Sequence, residues 1–97
     1  MKFTKGQLLA TKALLKFCEQ YGHTSFWRSQ LADCIGALET RDEQMVRNIV
    51  GLIRRGGMGS FLDWFPNPDK DPEYVQTLWN ALHGHWLQMM LPFRDQK

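Results

Sequence analysis

Formal charge is missing from a long stretch near the end of this chain. Between Tyr74 and Phe93 there is no Asp, Glu, Lys or Arg. A charge-free stretch of that length suggests a membrane span. Here Gln76, Thr77, Asn80, His83, Gly84, His85 and Gln88 interrupt it, and a span with that polar content is excluded. The stretch instead reads as a central helix of a soluble protein. Cysteine is scarce as well, with only Cys18 and Cys34. Both fall on apolar helix faces, where a thiol acts as a small buried hydrophobe. The start, MKFTKGQ, lacks the apolar run of a secretory signal, so reduced thiols in a cytoplasmic protein are the expectation.

The signatures of chemistry are absent too. His83 and His85 sit two residues apart, about 200° around a helix, and cannot share one metal from the same face. His23 stands alone. No Ser/His/Asp or Cys/His ordering stands out, so no catalytic residue, metal or cofactor is expected, and an enzymatic reading rests on nothing positive. Asn67 to Glu73 places oxygens at alternate positions as a calcium loop does. However, Pro72 stands where the sharp-turn glycine belongs and Leu78 where the bidentate Glu belongs, so the segment reads as a turn leading into a helix.

Strand-like alternation, internal repeats and low-complexity tracts are also missing, which leaves an all-α fold. With 97 residues, 43% of them hydrophobic and 23% charged, the chain falls well outside the disordered range and suits a single helical domain over residues 1–97. The net charge of +2 is unevenly spread. Lys2, Lys5, Lys12, Lys16 and Arg28 face only Glu19 in the first third, whereas residues 32–73 are net acidic. This makes weak opposite poles and falls short of the dense basic stripe of a nucleic-acid binder.

The helices are written in caps and periodicity. Thr4 and Gln7 form a capping box, Phe3 and Leu8 occupy staple positions, and Leu14, Phe17, Cys18 and Tyr21 recur at helical spacing up to the stop at Gly22, predicting a helix over 5–21. Thr24 or Ser25 caps a second helix over 26–38, with Trp27, Leu31, Cys34, Ile35 and Leu38 on one face. Thr40 to Glu43 reads as another capping box, opening a helix over 41–55 with Met45, Val46, Ile49, Val50 and Ile53 on its stripe and a stop at Gly56-Gly57. Asp71-Pro72-Glu73 reads as N-cap, N1 proline and first-turn acid of a fourth helix over 72–90. Gly36 and Gly51 fall inside helices at a cost of about 1 kcal/mol each, which close helix approach would offset. The core is expected to include Trp27, Leu31, Ile35, Ile49, Leu78, Trp79 and Leu82. The architecture that follows is a compact bundle of four main helices, with one long crossover loop that contains a short helical turn.

That crossover, Arg54 to Pro66, is the one irregular and information-rich stretch. Gly56, Gly57 and Gly59 present successive backbone amides beside Arg54 and Arg55, which suits an anion, but GGMGS lacks a P-loop's Lys-Ser/Thr ending and follows no strand. A glycine pair after a helix is also an ordinary C-cap. Ser60 to Asp63 reads as a cap and first turn. Phe61, Leu62, Trp64 and Phe65 cannot all point inward from a single turn, so some of that surface either lids the open end of the bundle or is exposed as a patch of the kind that binds partners.

The block Gly56-Gly57-Met58-Gly59-Ser60-Phe61 with Asp63, preceded by a helix bearing Trp27 and Leu31, resembles an uncharacterised family of small bacterial helical proteins with a GGMGS-hydrophobic-x-Asp block, over about residues 8–65. The resemblance implies a cytoplasmic, protein-binding role of the immunity-inhibitor or accessory-factor kind. The candidate binding residues are therefore Arg54, Arg55, Gly57, Met58, Gly59, Ser60, Phe61, Asp63 and Trp64, with another protein as the expected partner. The alternative is a small-ligand or anion-binding regulator using the glycine-rich loop 56–60. The many large side chains and the uncharged last helix add the expectation of a homodimer.

Overall fold

The computed structural model describes residues 3–55 and 60–94. Among these, four α-helices and two 3-10 turns are formed and no strand is. Helix α1 spans Lys5–Tyr21 and opens with the expected box: the Gln7 amide donates to Thr4 Oγ1 at 3.2 Å and the Thr4 amide to Gln7 Oε1 at 2.8 Å. It ends at Gly22, whose φ of 86° is the left-handed conformation that favours a residue without Cβ.

Helix α2 spans Ser25–Thr40, longer at both ends than its periodicity indicates. Thr40 belongs to its last turn, where its hydroxyl donates to the Gly36 carbonyl at 3.0 Å, so it does not cap the next helix. Arg41 takes the left-handed conformation at φ 59°, and Asp42 becomes the N-cap of α3, Glu43–Arg54, accepting from the Met45 amide at 3.2 Å. The cap thus lies two residues beyond the expected box, because the longer α2 absorbs Thr40. Helix α4 spans Glu73–Met89. Pro72 is its N-cap, in extended backbone with ψ 155°, and so lies just outside the helix rather than at N1.

Helix α1 packs between α2 and α4, and α2 packs on α3; the 3-10 turns Phe61–Asp63 and Leu91–Phe93 both touch α3. One continuous core runs through the array, with Leu14, Leu31, Ile53, Trp79 and Trp86 at its centre. A buried polar chain fastens α4 to α1. Trp86 Nε1 donates to Thr11 Oγ1 at 2.8 Å, Thr11 donates to the Gln7 carbonyl at 2.8 Å, and Gln7 Nε2 donates to the Met89 carbonyl at 3.2 Å. Every polar group in that chain finds a partner, as burial demands.

Three core expectations fail in part. Ile35 and Leu82 are only half-buried, and Leu78 is 39% exposed. Helix α4 lies at the end of the row and packs mainly on α1 among the described residues, burying the narrow stripe Val75, Trp79, Trp86 and leaving the Leu78 flank uncovered. The glycine expectation also fails: a Cβ at Gly36 or Gly51 would meet nothing within 4 Å. Close approach occurs instead at Gly6, where a Cβ would run into the terminal methyl of Met89.

Candidate docking surface at the crossover

Helix α3 delivers the chain to the crossover with Arg54 and Arg55 exposed and Arg55 in extended backbone. Gly56, Gly57, Met58 and Gly59 lie outside the described residues, and so do the expected left-handed cap and anion nest. Ser60 is the N-cap of the 3-10 turn, although its side chain makes no capping bond; the turn closes through the Asp63 amide on the Ser60 carbonyl at 3.1 Å.

The turn places its aromatics on opposite sides. Phe61 is fully buried, Trp64 is half-buried and Phe65 is 64% exposed. Phe61 and Trp64 lie over the bundle end as a lid, while Phe65 faces solvent. Pro66, next in the chain, is buried.

His23 holds the lid down. It follows the Gly22 cap and is only 1% exposed. Its ring is stacked between Phe61 and Trp64, each with centroids 4.7 Å away, and touches Trp79 at 5.7 Å. The Thr24 amide donates to Nδ1 at 2.8 Å, so Nδ1 carries no proton. Nε2 therefore carries it and donates to the Phe61 carbonyl at 2.9 Å. Burial holds the imidazole pKa below its ordinary value, with the Phe61 hydrogen bond opposing and Arg28 adding to the fall. A residue that looks solitary in sequence is thus a neutral bracket between the α1–α2 turn and the crossover. The only sequence signal for it is its place directly after a left-handed glycine, where the chain reverses against the bundle end.

The aromatic cluster extends beneath the lid. Trp79 packs edge-on to Trp64 at 5.1 Å and stacks on Phe17 at 5.7 Å, while Phe17 lies against Tyr21 at 4.7 Å. Beside it opens a cleft of about 530 Å³ lined by Glu19, Gln20, Tyr21, Gly22, Trp64, Phe65, Asn67, Lys70 and Asp71. A smaller hollow of about 190 Å³ lies over His23, bounded by Thr24, Trp27, Ser60, Asp63 and Trp64. Of the residues expected to bind, Ser60, Asp63 and Trp64 therefore meet at one hollow. Phe61 lies beneath it in the core, and Arg54 and Arg55 line neither opening. Glu19, Tyr21, Phe65 and Asp71 join the surface without any motif to announce them.

The segment after Pro66 is a turn. Asn67 Oδ1 accepts from the Asp69 amide at 2.9 Å, and its carbonyl accepts from Lys70 and Asp71. No group of three metal-ligating side chains occurs among the described residues. Cys18 and Cys34 are free and buried, and burial pushes both thiols up to about 12, which leaves them un-ionised and inert. Among the described residues no helix is long and apolar enough to cross a membrane. No protein-family model, curated protein or solved structure matches the chain.

Proposed function

We propose that this chain is a cytoplasmic protein-binding module, of the inhibitor or accessory-factor kind, that engages its partner through the crossover turn. The carrying observation is the contrast within that turn. Phe61 and Trp64 are stacked on His23, while Phe65 beside them is 64% exposed. A large aromatic held out from a fixed base loses little conformational freedom on docking, which favours a hot spot.

The test is capture from lysate of the source cells. Trp64 is committed to contacts with Phe17, His23 and Trp79, so its removal would also weaken the fold. Phe65→Ala is the cleaner probe: it should leave the melting temperature within a degree or two while losing the captured protein. Equal capture by both proteins counts against the reading. The anion alternative is examined beside it by NMR titration with inorganic phosphate. Saturable shifts confined to residues 54–60, with capture unaltered in Phe65→Ala, would favour the glycine loop as the site.

A second surface belongs to the same proposal. Tyr74 and Leu78, one turn apart on α4, are 65% and 39% exposed on a helix whose only formal charge is Glu73. A two-fold interface sets each face against itself, and an uncharged face does so without repulsion. We propose that this face pairs two copies of the chain.

A further inference from the structure

We infer that the cleft between the end of α1 and the crossover accepts a basic side chain, a lysine or arginine, from the partner protein. This inference rests on the docking role proposed above and adds the chemistry of what docks there.

Three features of the cleft point to a cation. The first is its aromatic wall. Tyr21, Trp64 and Phe65 line it, two of them anchored below, Tyr21 on Phe17 and Trp64 on His23 and Trp79. The faces of such rings attract an ammonium or guanidinium group. The second is charge. Glu19 and Asp71 line the cleft with Lys70 as the one base, and among the described residues neither carboxylate enters an ion pair. On a chain whose net charge is +2, this is a local negative site. The third is the end of α1. Its last turn, which includes Glu19 and Tyr21, holds no basic residue, so the partial negative charge at the helix C-terminus is not offset from within the helix. Carboxylates, helix end and ring faces therefore act in the same sense. Lys70, on a turn held by its own amide and that of Asp71 on the Asn67 carbonyl, offsets one of the two carboxylates and leaves the charged lining one unit negative.

A small organic cofactor fits the cleft less well, because the space is an open trough rather than an enclosed pocket and its lining mixes charged side chains with aromatic rings. A long aliphatic stem ending in a charge suits such a trough. The stem lies along Phe65 and Trp64, and the head reaches Glu19 and Asp71.

The test is an NMR titration of the full chain with end-blocked tri-arginine and, separately, end-blocked tri-glutamate. The indole signal of Trp64 is the reporter, because Trp27, Trp79 and Trp86 are buried. Tri-arginine should shift Trp64, Tyr21 and Phe65 saturably, and tri-glutamate should not. Glu19→Gln and Asp71→Asn should each weaken tri-arginine by roughly three- to fivefold, and together by roughly ten- to twenty-five-fold, the size of two exposed charge contacts. Asp33→Asn, which removes the same charge from the exposed side of α2, should leave binding unchanged. The inference is overturned if tri-arginine leaves Trp64 unshifted, or if Asp33→Asn weakens it as much as Asp71→Asn does. The two levels separate cleanly. If Phe65→Ala loses the captured protein while Glu19→Gln/Asp71→Asn keeps it, docking stands and the basic side chain is wrong; if both variants capture as the native chain does, the docking reading itself is wrong.

Discussion

At the scale of single residues, the account turns on His23. Its imidazole accepts from Thr24 at Nδ1 and donates to Phe61 from Nε2, an arrangement with room for one proton. A second proton at Nδ1 would set two donors against each other. The groups facing the ring from its neighbours are Arg28 on α2, which disfavours added positive charge, and Asp63 of the 3-10 turn, which shares its hollow. The folded state thus binds a proton less readily than the unfolded chain, whose His value is 6.5. Stability should therefore be flat above about pH 7 and fall as the pH drops below 6.5 toward the depressed folded value. His83, also depressed by burial and with its Nδ1 unpartnered, adds in the same direction. Urea unfolding at pH 7.5 and pH 5 checks this. His23→Gln, which keeps a donor and an acceptor, should flatten much of the slope, and an unaltered slope would remove His23 as the bracket. Little of this is legible in the sequence, where a lone histidine after a glycine carries no periodicity and the crossover residue that its Nε2 holds lies 38 residues away.

At the scale of elements, local rules carried well wherever the physics is local. The Thr4 box and the Gly22 cap involve residues within four positions of each other, and both form as read. The Thr40 box does not, because Thr40 and Asp42 both carry a side-chain oxygen that can cap and the length of α2 chooses between them. Periodicity likewise finds the buried side of α4 but not its width. Val75, Trp79 and Trp86 are buried on the side that faces α1, with the crossover's Phe61 and Trp64 also covering Trp79, whereas Leu78 on the flank stays 39% exposed. Trp79→Ala should then cost about 3–5 kcal/mol, a large share of the stability of a domain this size. Leu78→Ser should change it by less than about 1 kcal/mol. Thermal melts of the two variants at low protein concentration check the register of α4, and equal losses would contradict it.

At the scale of the whole molecule, the row of four helices buries a single core and leaves two unlike surfaces. One is the uncharged outer face of α4, and the other is the crossover end with Phe65, the cleft and the hollow over His23. The all-α class and the long crossover were readable from caps, periodicity and missing alternation. Which of the crossover's aromatics turns inward was not, because that depends on α1, α2 and α4 meeting beneath it. The α4 face predicts self-association. Light scattering should report a dimer at high micromolar concentration, and Leu78→Lys, which places two like charges across the two-fold axis, should return it to a monomer. A monomer in the native protein removes that interface without touching the crossover.

The central claim is that the partner sits on the crossover end. The most direct measurement is an amide hydrogen-exchange footprint of the free protein against the complex captured from lysate. The account predicts slowed exchange over residues 62–71 and 20–24, with α4 beyond Val75 unchanged from the free protein. Protection confined to α4 or to α3, with exchange at 62–71 unaltered, would contradict it.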